Sequence, residues 1–96
     1  MNEEAVIKSV VSRLRTDLRQ QYPDRVDDVR FVLGTDKDGD AAIFVTVVLK
    51  DPRTGDYRWV DVQPVEQKIR QELTDKDPFR FPYVGFELAS ERAAAR

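Results

Sequence analysis

The stretch AAIFVTVVLK, residues 41–50, is the most apolar part of this 96-residue chain and decides how the other elements can pack. β-Branched side chains are frequent in it, and such side chains favour strands. It is long enough for one strand but far short of the roughly 18 apolar residues needed to span a bilayer. We therefore expect residues 41–50 to form the central strand of a sheet, in a chain without a membrane span.

Turn sequences flank this stretch on both sides. Residues 34–40, GTDKDGD, contain an Asp-Gly pair, the strongest short hairpin signal. Apolar side chains recur at every second position of residues 29–33 just before that turn, which predicts a strand there. Residues 51–56, DPRTGD, suit a second tight turn, and Tyr57–Val60 is then expected to be a third, shorter strand. The pattern predicts an antiparallel meander.

Two amphipathic segments predict helices. Residues 3–21 repeat apolar side chains at spacings of three and four, and Pro23 ends the pattern. In the second segment Asp61 is the expected cap, and Pro64 falls in the first turn, where its missing N–H costs nothing. The apolar stripes consist of Val6, Ile7, Val10, Val11, Leu14 and Leu18 in the first helix and of Val62, Val65, Ile69 and Leu73 in the second.

The C-terminal part of the chain predicts one more strand and a tail. Residues 79–88 have strand composition, but Pro82 removes a ladder donor, so this strand should lie at a sheet edge. Residues 89–96 are expected to be a flexible tail. Because no linker or repeat divides the chain, residues 1–96 are expected to form a single domain.

The predicted element order is α-β-β-β-α-β. It indicates a two-layer α+β fold, with a mainly antiparallel sheet of three to four strands and both helices on one face. The first five elements resemble double-stranded-RNA-binding domains in order, but residues 61–64, DVQP, replace the glycine- and lysine-rich segment at the start of their second helix. Without the strand at residues 57–60, the order resembles cytosolic domains of cation-efflux transporters, which bind metal through histidines and acids. This chain has no histidine, so we assign it to neither family.

The composition excludes most catalytic chemistry. The chain has no histidine and no cysteine, which removes catalytic triads, thiolate nucleophiles and zinc sites. Its acids fall in turns and at helix starts, and its four glycines form no phosphate-binding loop. We therefore expect no enzymatic activity and no cofactor. Sixteen basic and 18 acidic residues give a net charge of −2, which disfavours a general nucleic-acid binder.

The acidic turn at residues 36–40 is the one candidate for metal binding. Asp36, Asp38 and Asp40 alternate as at the start of an EF-hand calcium loop. Ala41 stands at the sixth position, where glycine is needed, and Val47 at the twelfth, where a glutamate belongs. A solvated hairpin tip is the favoured interpretation, and weak Ca²⁺ binding is the alternative.

Two short segments interleave aromatic side chains with arginine, a composition typical of protein interfaces. Because two helices cover only one face of a sheet, rings on the other face would stay exposed, although the same rings could instead close the core. The candidate partner-binding residues are Tyr57, Arg58, Trp59, Phe79, Arg80, Phe81 and Tyr83.

A basic row on the first helix supports an alternative function. Lys8, Arg15 and Arg19 lie within one arc and could contact an anion or the phosphates of a nucleic acid. Residues 3, 4 and 17 are acidic and leave the helix almost neutral, which favours an ordinary solvated face.

These observations together favour a small, non-catalytic interaction module, an accessory, inhibitor or antitoxin-like protein of bacterial type. It would bind a protein partner through an edge strand and the aromatic–arginine surface. A homodimer is a further expectation. The N-terminus lacks the basic and apolar pattern of a secretory signal, so a cytoplasmic location is expected. Nucleic-acid binding through the aromatic rings or the basic row is the alternative.

Overall fold

The computed structural model describes residues 3–94 and confirms the α+β class. Apolar side chains at helical spacing produce two long helices, and β-branched runs produce the strands. In chain order the elements are α1 (Glu3–Gln21), β1 (Val26–Thr35), β2 (Ala41–Leu49), α2 (Trp59–Lys76), β3 (Phe81–Leu88) and α3 (Ala89–Ala94).

The sheet has three strands in the order β1-β2-β3, so the apolar stretch is central as predicted. The β1–β2 pair is an antiparallel hairpin, whereas β2 and β3 run parallel and are joined by α2. The sheet is therefore mixed, with one of its two pairs parallel. Because β3 runs in the same direction as β2, its first residue, Phe81, pairs with Ala42 at the start of β2. The start of β3 thus lies beside the β1–β2 turn.

The strand predicted at Tyr57–Val60 is wrong. Arg58 is the N-cap of α2, and Trp59 and Val60 are its first two residues. The Arg58 N–H donates to the Asp61 carboxylate, Oδ2 at 3.0 Å, which stabilises a helix start that lies three residues before Asp61. Four residues are too few for an alternating pattern to distinguish a strand from a helical turn. Pro64 is consequently the sixth residue of the helix and lies beyond its first turn.

The core lies between the two long helices and one face of the sheet. Helix α1 packs on β1, α2 packs on β3, and the two helices contact each other, so both cover the same face as predicted. Both predicted stripes enter this core, with Val6 only partly buried. The central strand contributes Ile43, Val45, Val47 and Leu49 from alternate positions. No helix within residues 3–94 is long and apolar enough to cross a membrane.

The expected tail begins with a short helix. The Leu88 N–H donates to Glu91 Oε1 at 2.8 Å, and Ser90 Oγ donates to Asp51 Oδ1 at 2.9 Å. Glu87, on the sheet face opposite the long helices, pairs with Arg92 of α3. Residues 95–96 lie outside the described part of the chain. The flexibility of the segment in solution stays a prediction.

Candidate partner-binding face

The sheet face opposite the long helices, here called the open face, carries exposed rings. Phe44 on β2 and Tyr83 on β3 are register partners, and their rings stack with centroids 5.5 Å apart and planes inclined at 17°. Phe81, two residues before Tyr83, places its ring centroid 4.8 Å from that of Tyr83. Phe44, Phe81 and Tyr83 are 39%, 49% and 40% exposed. The rings therefore contact one another yet remain partly open to solvent.

Val32 extends this apolar surface to β1. It pairs with Phe44 across the hairpin and is 66% exposed. The ring of Phe44 also lies over Gly34, since a Cβ placed at Gly34 would come within 3.3 Å of Phe44 Cε2. The absence of a side chain at Gly34 thus leaves room for the Phe44 ring. Val32, Phe44, Phe81 and Tyr83 together form what we call the aromatic strip, which crosses all three strands.

The turn at residues 36–40, here called the acidic turn, is attached to the aromatic strip by a hydrogen bond. The Tyr83 hydroxyl donates to Asp36 Oδ2 at 3.0 Å. Asp36 Oδ1 accepts the backbone N–H groups of Asp38 at 2.9 Å and Asp40 at 3.0 Å. Gly39 has a φ of 83°, a left-handed conformation that glycine adopts without strain. The turn is therefore held by Asp36 and oriented by Tyr83.

These contacts shift the acidity of both partners. The Asp40 N–H is the main cause that lowers the pKa of Asp36 below its usual 3.8, with contributions from Tyr83 and Asp38. The hydrogen bond to Asp36 raises the pKa of Tyr83 above its usual 10.0. Both groups therefore keep their ordinary charge states at neutral pH, with Asp36 ionised and Tyr83 protonated.

The acidic turn does not arrange its carboxylates as a metal site. Within residues 3–94 no group of three or more acids could hold a metal ion. Asp36 uses both carboxylate oxygens inside the protein, one in the turn and the other toward Tyr83. Weak Ca²⁺ binding, which stays an untested alternative, would have to compete with these hydrogen bonds.

The acidic turn and the start of β3 border a shallow hollow. Its walls include Asp38, Asp40, Phe79, Phe81 and Tyr83, and Phe79 is 89% exposed. The candidate partner-binding residues from the C-terminal segment therefore meet the acidic turn at one end of the molecule.

The arginines of this hollow are already paired with carboxylates. Arg70 of α2 places its guanidinium carbon 5.4 Å from the centre of the Phe81 ring and pairs with Glu66 at 2.6 Å. Arg80 pairs with Asp77 at 3.3 Å, and its side chain is only 20% exposed. The predicted aromatic–arginine surface is thus mainly aromatic, because the Arg80 side chain is mostly buried and paired with Asp77.

Tyr57, Arg58 and Trp59 do not join this surface. They lie at the N-terminal end of α2, whereas Phe81 lies beyond its C-terminal end. An 18-residue helix is about 27 Å long, so the two predicted groups stand at opposite ends of the domain. The Tyr57 hydroxyl donates to the Lys50 carbonyl at 2.7 Å, and Trp59 is 55% exposed.

The basic row of α1 is interrupted at Arg15. Its guanidinium donates to the Val29 carbonyl at 2.8 Å through Nη2 and pairs with Asp28 at 2.7 Å through Nε. Lys8 and Arg19 are exposed, but Arg15 between them is engaged elsewhere. The three side chains therefore do not act as one anion-binding row.

Both sheet edges are partly blocked against strand addition. On β1, Arg15 takes the outward Val29 carbonyl, and the Val29 N–H donates to Asp28 Oδ1 at 2.8 Å. On β3, Pro82 has no N–H, and the Leu88 N–H is taken by Glu91. Strand addition is therefore limited to the part of the β1 edge after Val29 and to the part of the β3 edge between Pro82 and Leu88.

Sequence reasoning missed Val32 and Phe44 as site residues. Phe44 sits inside the most apolar stretch, which suggests burial for every member. The signal that could have found it is the period of two: Ile43 and Val45 enter the core, so Phe44 between them must face the opposite side.

Comparison of the chain with protein-family models, curated proteins and solved structures gave no match.

Proposed function

We propose that this protein is a non-catalytic interaction module that docks a protein partner on the open face of its sheet. The observation that carries the proposal is the aromatic strip, in which three contacting rings are each at least 39% exposed. Contiguous exposed apolar patches mark interaction sites, and aromatic side chains dominate interface energetics. The proposal includes a cytoplasmic, accessory or antitoxin-like role.

The dimensions of the open face favour a single element of the partner. Three strands spaced by about 4.8 Å and eight residues long give a face of at most roughly 14 by 26 Å, and α3 covers part of it near Glu87. That is about half of the roughly 800 Å² that each side of a standard interface buries. One amphipathic helix or one extended segment would cover it. Two such faces in a homodimer would bury too little surface for a stable dimer without further contacts.

Face docking is favoured over strand addition, the other mode that the sequence suggested. Affinity in strand addition comes from main-chain hydrogen bonds along an edge. Arg15 and Asp28 occupy one end of the β1 edge, and Pro82 and Glu91 limit the β3 edge. The aromatic strip has no comparable cover.

The acidic turn favours a protein over a nucleic acid as the occupant. Exposed rings can stack on bases. However, Asp38 and Asp40 stand beside the rings and would repel phosphates. A nucleic acid would also need a row of basic side chains, and the row on α1 is interrupted because Arg15 is paired with Asp28.

Site-specific photocrosslinking in cells tests the proposal. A photoreactive phenylalanine replaces Val32 on the open face, and the matched control replaces exposed Gln20 on α1. We expect a discrete adduct with another protein from position 32 only, lost when Phe44→Asp is added. Equal adducts from both positions, or adducts that Phe44→Asp leaves intact, would contradict the proposal. An adduct between two copies of this chain would replace it with a homodimer.

A further inference from the structure

We infer that the partner segment presents an arginine or lysine side chain, held between the aromatic strip and the carboxylates of the acidic turn. This inference rests on the proposed function, because it names the chemistry of the segment that the open face would bind. It is carried by the charge of the acidic turn and by the exposed rings beside it.

The charge beside the rings is unbalanced. The acidic turn has three aspartates against one lysine, Lys37. Asp36 is engaged with Tyr83 and the turn backbone, but Asp38 and Asp40 are exposed and make no ion pair with any residue of 3–94. The remaining cations at the hollow, Arg70 and Arg80, already pair with Glu66 and Asp77.

The rings can add to the attraction for a cation. The face of an aromatic ring is negative, so a guanidinium or ammonium group is drawn to it. The protein already uses this contact, since Arg70 lies 5.4 Å from the centre of the Phe81 ring. A basic side chain from a partner could lie over Tyr83 or Phe44 and still reach the carboxylates of the turn, because Tyr83 is hydrogen-bonded to Asp36.

Other occupants fit the same surface less well. An acidic segment would meet Asp38 and Asp40. A second copy of this chain offers Arg30 and Arg92 at the opposite end of its open face, but Arg30 pairs with Asp28 and Arg92 with Glu87. Both arginines are already engaged by a carboxylate, which Arg30 shares with Arg15, so a partner with an unpaired basic side chain gains more from the acidic turn.

A displayed library of random 12-residue peptides tests the inference. Selection is against the immobilised protein, with counter-selection against Phe44→Asp and, as a second open-face variant, Val32→Asp. We expect selected peptides to carry arginine or lysine next to an apolar residue. Replacing that arginine by the neutral isostere citrulline, or lysine by norleucine, should weaken binding by about tenfold, the loss of a paired and ring-bound charge.

The matched protein variants separate the acidic turn from total charge. Asp38→Asn combined with Asp40→Asn should weaken the binding of the selected peptides by about tenfold, because it removes both negative charges beside the rings. Asp24→Asn combined with Asp56→Asn changes the net charge equally at exposed positions outside the hollow and should change affinity less than about twofold.

The outcomes distinguish the two proposals. This inference is overturned, and the proposed function left intact, by peptides whose binding is lost in the Phe44 and Val32 variants but which carry no basic residue. Peptides whose binding is unchanged in the Asp38 and Asp40 variant have the same consequence. Peptides that bind the open-face variants as well as the unmodified protein, or no selected peptides, overturn both. Circular dichroism and thermal unfolding confirm that each variant is folded before binding is compared.

Discussion

The Tyr83 hydroxyl donates a hydrogen bond to Asp36 Oδ2 at 3.0 Å and joins two residues that are 47 positions apart in the chain. Parallel pairing of β2 and β3 makes this possible, because it puts the start of β3 beside the β1–β2 turn. The bond fixes the acidic turn next to the aromatic strip. The fold itself therefore keeps the acidic turn and the aromatic strip next to each other.

The first prediction concerns Asp36→Asn. Removing the negative charge should move the pKa of Tyr83 down toward 10, because the hydrogen bond to the carboxylate is the main cause that raises it. A ¹³C NMR titration of the tyrosine ring carbons measures this shift. Asp56→Asn, in an exposed loop, is the control and should leave the Tyr83 titration unchanged.

The hydrogen bond between Tyr83 and Asp36 also makes the stability of the fold depend on pH. Because the pKa of Tyr83 is raised in the folded state, its contribution is present below about pH 10 and is lost as the pH rises through the folded-state value. A Tyr83 titration that stays in place in Asp36→Asn would show that the hydrogen bond is not formed in solution.

The core of this fold was predictable because burial imposes a period on the sequence. The stripes of α1 and α2 repeat without interruption, whereas in β2 the alternation is lost at the end of the strand, where Val47, Val48 and Leu49 are all buried. The short segment at Tyr57–Val60 failed because aromatic composition favours a strand, whereas the hydrogen bond from Arg58 to Asp61 starts a helix there. A capping contact of this kind depends on local geometry that composition does not specify.

The second prediction compares two valines on opposite faces of the same sheet. Val47→Ala should lower the free energy of unfolding by about 2 kcal/mol, because it removes two buried methyl groups and leaves a cavity. Val32→Ala makes the same chemical change at a position that is 66% exposed and should cost about 0.5 kcal/mol or less. Urea denaturation followed by circular dichroism measures both. Equal losses would mean that a partner or a second copy covers the open face.

The third prediction concerns Asp28, which links the edge of β1 to α1. Burial tends to raise the pKa of Asp28. The hydrogen bonds from Arg30 and the Val29 N–H and the charge of Arg15 lower it by more, so the pKa lies below the usual 3.8. Asp28→Asn should reduce the free energy of unfolding at pH 7 by about 1 to 2 kcal/mol, the loss of partly exposed ion pairs and one backbone hydrogen bond.

The loss of stability in Asp28→Asn should become smaller as the pH falls. A carboxylate with a lowered folded-state pKa stabilises the fold above about pH 4, and this contribution disappears as the pH falls through the folded-state value. The difference in unfolding free energy between the unmodified protein and Asp28→Asn should therefore shrink below pH 4. A difference that stays constant from pH 7 to pH 2.5 would contradict the assigned role of Asp28.

The binding face was only partly predictable. Phe79, Phe81 and Tyr83 stood out by composition, and the structure places them together at the acidic turn. That adjacency needs the parallel β2–β3 pair, and no local pattern distinguishes a parallel from an antiparallel neighbour for an isolated edge strand. Trp59 looked equivalent to these residues in sequence, yet the length of α2 separates it from them.

The fourth prediction concerns Pro64, the sixth residue of α2. A proline beyond the first turn removes the hydrogen bond to the carbonyl four residues earlier, here that of Val60, at a cost of up to about 3 kcal/mol. Proline also restricts the unfolded chain, which offsets about 0.4 to 1 kcal/mol. Pro64→Ala should therefore raise the free energy of unfolding by about 1 to 2 kcal/mol, measured by urea denaturation.

The control for this variant is Gln67→Ala, which introduces alanine at another exposed position of the same helix and should change stability by less than about 0.5 kcal/mol. An unchanged or lower stability in Pro64→Ala would place Pro64 in the first turn, where its missing N–H has no carbonyl to lose. In that case α2 would begin near Asp61, as the sequence pattern indicated, and Trp59 would precede the helix. The experiment thus decides between the two helix starts by the presence or absence of one hydrogen bond.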